Sequence, residues 1–523
     1  MIILEWVSAL LLGAVLLAAL ARRLGAPSPA LLALGGVALA FLPHGPRLSL
    51  DPSLALALFV APVLMDAAFD SPIRDLRRNW LPVTGLILIA VSVTTAAVAL
   101  VARWLVPAMP WAVAVTLGAL VAPPDAAAAT AILKEVKLPH RLMAILEGES
   151  LLNDASALLI YRLALGAAMA HGAPIGIAST LALVVGGSVV VGVGLAYVYG
   201  DIVGRFSDVP SSIIMQFIGA FGAWILADRL QLSGVLVIVT FAITLSYFAR
   251  VRMPASIRVP SYAVWETVVF LLNALAFVMV GLQIGPILQR IGIAQRAQSL
   301  NFAGAILLTV MFARVAWAMT YNRSLRLIDL VLGDRTPTSL LVAPQLRRSA
   351  VVAWCGMRGI VTLAAALALP DGSGHMAAFP YRDLIVLTAF AVVLGTLVIQ
   401  GLTLRPLVLM LRLDDDEAIE DEAIAGRQEM LKSALESLSE SDTAVASALR
   451  REFSDLLARI DGSSGLSQEA REMEAELRAD ARAAARERLS QLRMTGAIGD
   501  ATFQQLEAEL DMIELETEAR SRW

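Results

Sequence analysis

Long apolar runs dominate the first four-fifths of this 523-residue chain. They are about 17 to 25 residues long, which is the length that an α-helix needs to cross a lipid bilayer. Hydrophobic residues make up 58 % of the sequence, whereas charged residues make up only 16 %. The sequence therefore predicts an all-α polytopic membrane protein, with about thirteen transmembrane helices between residues 1 and 411.

Basic residues are distributed unevenly between the predicted loops. If the N-terminus lies outside the cell, the inside loops hold seventeen lysine and arginine residues and the outside loops hold six. Such an excess is typical of cytoplasmic loops, so an odd number of spans puts the C-terminus in the cytoplasm. Alanine richness and the preference for arginine over lysine hint at a bacterial gene, which makes the inner membrane the expected location.

The composition changes abruptly after Arg412. Residues 414–523 carry 27 acidic and 13 basic residues, few aromatic residues and no proline. This pattern predicts a transmembrane domain over residues 1–411 and an acidic cytoplasmic helical tail over residues 412–523. The acidic run is interpreted as a solvated linker, and a regulatory or dimerising role of the tail, with an unknown regulator, is the alternative.

The sequence lacks the residues that several kinds of site require. A single cysteine, Cys355, excludes an intramolecular disulfide, and the four histidines fall in or near predicted loops, which argues against a zinc site. There is no HExxH or Gly-x-Ser-x-Gly motif, and Ser150 has no histidine at membrane depth as a base. We therefore expect no enzyme activity, no cofactor and no nucleic-acid partner.

The stretch GESLLNDAS, residues 148–156, places polar side chains inside an apolar run. At 100° per residue, Ser150 and Asp154 fall on one helix face, and Glu149 and Asn153 fall on a second face. A carboxylate with a hydroxyl one turn away supplies hard oxygen ligands, and burial disfavours its charged form. Asp154 could therefore exchange a proton for a metal ion. A structural pairing with an arginine is the competing interpretation.

The stretch VAPPDAAAAT, residues 121–130, interrupts the fifth predicted span. Pro123 and Pro124 lack N–H groups, so the helix should unwind near the middle of the membrane. Unwound backbone survives at that depth only where it lines a cavity. The carboxylate of Asp125, together with freed backbone carbonyls, could complete a cation site with Asp154.

Two further ionisable side chains lie inside apolar runs, Asp66 in the third span and Arg358 in the twelfth. An unpaired guanidinium at this depth would be costly, and Glu149 is the acid that we expect to pair with Arg358. The interrupted spans five and twelve stand seven spans apart, as inverted repeats require. Paired interruptions of this kind point to the binding site of a transporter.

GESLLND, the proline-and-aspartate segment one span earlier and GMRG in a late span together resemble cation:proton antiporter family 1. This family comprises the sodium/proton exchangers, including the NhaP-type and NHE proteins. The resemblance covers residues 1–411 and implies a homodimer with a dimerisation part and a core part that moves as an elevator, acting in pH and sodium homeostasis. It also implies roles for single residues. Asp154 would bind the ion and the proton, with Asn153 as its partner and Ser150 as a ligand. Glu149 and Arg358 would form a structural ion pair, and Asp66 would be the acidic residue that many members have in the third span.

The resemblance implies Na⁺ at Asp154, Asp125 and Ser150, with Li⁺ or K⁺ as alternatives. One departure bears on this choice, because the chain reads Pro-Asp-Ala at residues 124–126 where relatives often read Thr-Asp-Pro. The backbone carbonyl of Pro124 or the hydroxyl of Thr130 could replace the missing threonine.

An asparagine instead of a second aspartate before Asp154 resembles the electroneutral branch of the family. This implies a one-for-one exchange in which a cation and a proton compete for Asp154. A K⁺/H⁺ antiporter is the nearest alternative. A cation channel is the alternative from another class, but the polar residues concentrate in one cluster rather than along a continuous pore.

Overall fold

The computed structural model describes residues 2–42, 52–70, 80–125, 133, 140–169, 177–206, 208–332, 346–372, 377–411, 418–439, 443–460, 468–495, 506, 509–510 and 512. The chain divides into two compact units, Met1–Asp415 and Asp416–Trp523.

The first unit is built from helices, and its described residues contain no strand. In chain order the helices are α1 Ile2–Leu24, α2 Ser28–Ala40, α3 Pro52–Ala55, α4 Ala61–Asp70, α5 Trp80–Leu105, α6 Trp111–Val121, α7 His140–Met169, α8 Ile177–Val203, α9 Val209–Arg229, α10 Gly234–Arg252, α11 Ala255–Leu282, α12 Ile284–Arg290, α13 Ile293–Leu332, α14 Leu346–Trp354, α15 Ile360–Leu367 and α16 Arg382–Leu411.

Five of the described segments are long and apolar enough to cross a membrane, namely Ala182–Val203, Val209–Arg229, Ala255–Arg290, Ile293–Thr320 and Arg382–Leu411. Shorter apolar helices, such as Ser28–Ala40 and Trp111–Val121, accompany them. The helical membrane character predicted from the apolar runs is therefore present. The predicted count of about thirteen spans stays a prediction.

The helices of the first unit pack in two groups. The first bundle comprises α5 to α7 and α13 to α16, and the second bundle comprises α1, α2, α4 and α8 to α11. Leu117 of α6, Ile306 of α13 and Val392 of α16 are buried in the first bundle, and Ile238 and Phe241 of α10 are buried in the second. Between membrane helices such contacts stabilise through close packing rather than through removal of apolar surface from water.

Two glycines allow α2 and α11 to approach closely. A Cβ atom on Gly36 would overlap the carbonyl of Val278, and a Cβ atom on Gly281 would overlap the carbonyl of Ala33. Small residues at a membrane-helix interface permit this backbone contact. Any side chain at either position would push the two helices apart.

Helices α3 and α4 are joined by one π-helical turn, Leu56–Val60. Pro62 follows two residues later, and it offers no N–H to the carbonyl of Leu58 and crowds that carbonyl with its ring. This explains the locally widened turn, since π-turns inside helices occur where the regular ladder is disturbed. The turn packs against α15 and so joins the second bundle to the first.

The described residues of the second unit form three polar helices, α17 Ala418–Ser439, α18 Ala444–Ile460 and α19 Gln468–Met494. Helices α17 and α18 pack against each other, with Leu431 and Ala446 buried. The surface ion pair between Lys432 and Glu429, at 3.0 Å, is exposed. Such pairs contribute little to stability, so the small apolar contact is the main reason for this packing.

Candidate cation-binding site

The first interruption follows α6. This helix ends at Val121, and its last six residues are buried. Pro123 and Pro124 have no N–H groups for the carbonyls four residues earlier, so the helix cannot continue. Residues 122–125 are non-helical, and Pro124 is buried while Asp125 is partly exposed. The helix thus ends where the pair of prolines predicts.

The second interruption separates α14 from α15. Helix α14 ends at Trp354 and helix α15 begins at Ile360, so residues 355–359 lie between two half-helices. All five of these residues, Cys-Gly-Met-Arg-Gly, are buried. Backbone of this kind has N–H and C=O groups without helical partners. They need partners within the protein, because the bilayer core has no water that could bind them.

The two interruptions supply partners to each other. The N–H of Asp125 donates a hydrogen bond to the carbonyl of Met357, at 2.7 Å. In the opposite direction, Arg358 donates from Nε to the carbonyl of Val121, at 2.9 Å, and from Nη2 to the carbonyl of Ala122, at 3.2 Å. The broken ends of α6 and of the α14–α15 pair are therefore joined by reciprocal hydrogen bonds.

Arg358 caps the broken end of α6. The last carbonyls of a helix have no intrahelical donor, and a positive charge near them is stabilising. The guanidinium is fully buried and also donates to the carbonyl of Gly356. The backbone N–H of Arg358 donates a hydrogen bond to Oγ1 of Thr396, at 3.0 Å. The side chain of Glu149 lies outside the described residues, so its predicted ion pair with Arg358 stays a prediction.

Asp125, which follows α6 in the chain, lies beside the N-terminal end of α15. Its carboxylate packs on Gly359, the residue before the first turn of that helix, so that a Cβ atom there would overlap Oδ2 of Asp125. The N-terminus of a helix carries a partial positive charge and stabilises an anion placed beside it. Gly359 is therefore needed because it leaves room for the carboxylate.

Replacing Gly359 by alanine is expected to weaken cation binding strongly, because the new methyl group would displace the carboxylate of Asp125. The measurement is cation binding to the purified protein, divided by the amount of folded protein. Gly304→Ala, in α13, is the matched control, since a Cβ atom there meets no other atom within 4 Å. Unchanged cation binding by the Gly359→Ala protein would contradict this close contact.

Asp154 lies on α7 and is buried with 8 % of its surface exposed, next to the fully buried Asn153. The carboxylate of Asp125 lies within electrostatic reach of Asp154. The structure thus brings together the two aspartates that the sequence predicts as ligands. The side chain of Ser150 and all of Thr130 lie outside the described residues.

Asp66 lies in a cavity of about 430 Å³ at one end of the second bundle. Met65, Tyr199, Ser212 and Trp265 also line this cavity, and none of Asp125, Asn153 and Asp154 does. Among the residues that the structure describes, Asp66 is therefore placed in a different environment from the Asp125–Asp154 pair, and its predicted role as a ligand stays a prediction.

A search for acidic residues inside apolar runs does not find a second buried arginine. Arg314 lies within α13 and only 4 % of it is exposed. A search for any ionisable residue inside an apolar run would have found it. The carbonyl partners of Arg358, in contrast, give no sequence signal, because every residue has a backbone carbonyl.

Two interrupted helices that meet beside the carboxylates of Asp125 and Asp154, in a membrane protein whose described residues form helices and no strand, are typical of a secondary transporter. The sequence profile of the family described as "Sodium/hydrogen exchanger, transmembrane" matches residues 8–410. The chain belongs to this sodium/hydrogen exchanger family. It is accordingly a transporter and not an enzyme, and cation/proton antiport is the activity that the relatives support.

Two curated relatives and one solved structure illustrate the similarity. An uncharacterized Na⁺/H⁺ exchanger of Mycobacterium tuberculosis is 32 % identical over 446 residues, which are 84 % of this chain and 79 % of the relative. A sodium, potassium, lithium and rubidium/H⁺ antiporter of Bacillus pumilus is 29 % identical, over 77 % of this chain and 61 % of the relative. The sodium proton antiporter MjNhaP1 of Methanocaldococcus jannaschii superposes with a TM-score of 0.61 at 19 % identity, over 79 % of this chain and 98 % of that chain, and so supports the fold.

Proposed function

We propose that the protein exchanges protons for a monovalent cation, with Na⁺ as the main substrate and Li⁺ as a second one. The observation that carries this proposal is the buried Asp154 with the partly exposed Asp125 in its electrostatic reach, beside two interrupted helices. Carboxylate oxygens suit hard cations, and a desolvated carboxylate also binds a proton. One site can therefore hold either substrate.

The two aspartates have different tasks in this proposal. Asp125 is proposed to serve as a fixed cation ligand, since the N-terminus of α15 beside it stabilises an anion. Asp154 is buried more deeply and carries either the cation or the proton. The cation and the proton compete for the carboxylate of Asp154, so each crossing of the membrane carries one positive charge. One proton is therefore exchanged for one cation, and the exchange is electroneutral.

Ser150, Asn153, the carbonyl of Pro124 and Thr130 are proposed to complete the site. The carbonyls of Val121 and Ala122 accept hydrogen bonds from Arg358, so they have less capacity for a cation. The carbonyl of Pro124 lies further along the same unwound segment and is the better-placed ligand. Glu149 is proposed to pair with Arg358, and Asp66 to bind cations in its own cavity.

Alternating access is proposed to occur by an elevator movement of the first bundle against the second. The first bundle carries both interruptions and both aspartates, and the second provides close glycine contacts between α2 and α11. We propose a homodimer in a bacterial inner membrane, with the N-terminus outside. The tail, residues 412–523, is proposed to lie in the cytoplasm as a solvated acidic segment, with a regulatory role as the alternative.

K⁺/H⁺ exchange is the second candidate function. The antiporter of Bacillus pumilus is named for sodium, potassium, lithium and rubidium, so similar chains differ in their cations. The Pro-Asp-Ala sequence at residues 124–126 favours this candidate, because a threonine hydroxyl that could select a small cation is replaced. A less demanding ligand set would admit a larger ion.

The proposal is tested in everted membrane vesicles with a pH-sensitive dye. Adding Na⁺ or Li⁺ is expected to release accumulated protons, with a smaller response to K⁺, and vesicles without the protein serve as the control. A dominant response to K⁺ would establish the second candidate. No response to any of the three cations would contradict antiport.

Stoichiometry needs a separate measurement on a solid-supported membrane. Under a sodium gradient, one-for-one exchange is expected to give no sustained current and no dependence on membrane potential. A sustained current that follows the potential would contradict electroneutral exchange. Cation current without proton movement would indicate a channel.

A further inference from the structure

Tyr161 is a buried tyrosine on α7, the helix that carries Asp154. It lies seven residues after Asp154, and 7 % of it is exposed. Its hydroxyl donates a hydrogen bond to the backbone carbonyl of Ala365 in α15, at 3.1 Å. This bond joins segments that are 204 positions apart in the chain, and the proposed exchange does not yet use it.

The carbonyl of Ala365 needs a donor from outside its own helix. Helix α15 has eight residues, and the last carbonyls of a helix have no N–H group of a following turn to bind. The two backbone N–H groups that follow α15 bind the carbonyls of Ala364 and Ala366. The hydroxyl of Tyr161 therefore supplies the donor for the carbonyl that lies between them.

The two helices place this bond at a fixed distance from the cation site. Seven residues at 1.5 Å each put Tyr161 about 10.5 Å along α7 from Asp154, and seven steps of 100° keep both on one face. Six residues likewise put Ala365 about 9 Å along α15 from Gly359. The carboxylate of Asp125 packs on Gly359.

These contacts form a closed arrangement with four sides. Helices α7 and α15 are the long sides, and the hydrogen bond from Tyr161 to Ala365 is one short side. The opposite short side is the gap between Asp154 and Asp125, whose carboxylates lie within electrostatic reach of each other. Because helices are rigid supports, a bond at one end restricts the width of the gap at the other.

We propose that Tyr161 is a positioning residue, which fixes the width of the gap between Asp154 and Asp125 and thereby sets the preference among Na⁺, Li⁺ and K⁺. This inference rests on the proposed function of the two aspartates. Selectivity between cations of equal charge depends on the size of the cavity and on the number and flexibility of the ligands. A gap of fixed width favours one ion size, whereas a gap that can widen accepts several.

Arg382 provides a comparison at the same end of α15. It lies on α16 and donates to the carbonyls of Leu367 and Leu369, at 3.0 and 2.8 Å. This arginine also binds carbonyls at the C-terminal end of α15, but α16 carries neither aspartate of the site. Removal of Arg382 therefore weakens the end of α15 and leaves the link to α7 in place.

The test measures the KM for Na⁺, Li⁺ and K⁺ in proteoliposomes that contain the parent or the Tyr161→Phe protein. Loss of the hydroxyl is expected to raise the KM for the preferred cation about fivefold, which is the effect of one buried hydrogen bond on an equilibrium. The KM ratio between the next cation and the preferred one is expected to fall by a similar factor. A merely structural loss would lower the rate for all three cations equally and keep this ratio.

Three further proteins serve as controls. Replacement of Tyr161 by para-aminophenylalanine keeps a donor and is expected to restore the parent ratio. Tyr247→Phe is the matched control, because Tyr247 is a tyrosine of α10 that is 79 % exposed, and it is expected to keep all three KM values. Arg382→Gln is expected to lower thermal stability in detergent and to keep the parent ratio.

An unchanged KM ratio in folded Tyr161→Phe protein would overturn the inference. The same change of ratio in Arg382→Gln would also overturn it, because the capping of α15 would then be the cause. If Tyr161→Phe does not fold, the para-aminophenylalanine protein decides, and an altered ratio in that protein rejects the inference.

The failure of this inference can be distinguished from the failure of the proposed function. If Asp154→Asn protein still exchanges as the parent does, the assignment of the carboxylate site fails, whatever Tyr161 does. If Asp154→Asn is inactive and Tyr161→Phe keeps the parent ratio, only the inference on Tyr161 fails.

Discussion

Replacing Asp154 by asparagine is expected to abolish cation-dependent proton release down to the level of vesicles without the protein. Asparagine has nearly the same shape but cannot carry a proton at neutral pH and cannot offer a charged oxygen to a cation. Because Asp154 is buried, the amide also removes the cost of keeping a carboxylate out of water. Folding should therefore be preserved, and the loss should be specific to transport.

The measurement is dye-monitored proton release from everted vesicles for Na⁺, Li⁺ and K⁺, with the amount of folded protein taken from size-exclusion chromatography. Asp228→Asn is the matched control, since Asp228 is an exposed aspartate near the end of α9. It should behave like the parent. Parental exchange by the Asp154→Asn protein would show that the proton and the cation are carried elsewhere.

Replacing Arg358 by alanine is expected to reduce the amount of folded protein more than it changes the affinity of the remaining protein for Na⁺. The change leaves the carbonyls of Val121, Ala122 and Gly356 without their donor. Each buried acceptor left unsatisfied costs about 1–3 kcal/mol. The combined loss is several kcal/mol, which is a large part of the stability of a typical domain.

Yield in the membrane and thermal unfolding in detergent report this loss, and KM for Na⁺ reports the site. Arg358→Lys is expected to recover part of the stability, because an ammonium group lacks the rigid fork that reaches two carbonyls at once. Arg296→Ala also removes hydrogen bonds to two carbonyls, but Arg296 is only partly buried, so its effect should be smaller. Normal yield of the Arg358→Ala protein with an altered KM would place this arginine in the ion site itself.

Much of the site could be predicted because its residues are exceptions to their surroundings. Asp154 and Arg358 stand out as ionisable residues in apolar runs, and two adjacent prolines must end a helix. The carboxylate of Asp125 lies within electrostatic reach of Asp154. These features depend on side-chain chemistry, which the sequence states directly.

The partners of Arg358 could not be predicted in the same way. An arginine inside an apolar run predicts an acidic partner, and the pair with Glu149 stays a prediction. It gives no indication of the backbone carbonyls of Val121 and Ala122, to which Arg358 donates. Which backbone carbonyls can accept a hydrogen bond from Arg358 depends on where α6 ends in the folded protein and on which other segment packs against that end. The contact of Asp125 with Gly359 also depends on tertiary structure, although a glycine next to a buried arginine does signal close packing.

The hydrogen bond from Arg358 to Val121 has a consequence for the way the protein is made. Its two residues are 237 positions apart in the chain. At about 5–20 residues per second, the ribosome needs roughly 12–50 s to reach Arg358 after Val121. During this time the open end of α6 enters the membrane without its donor, so temporary partners must satisfy its carbonyls. A late-synthesised arginine thus completes a helix that was inserted early, and a chain cut off before residue 358 should be recognised as unfinished by the quality control of the cell.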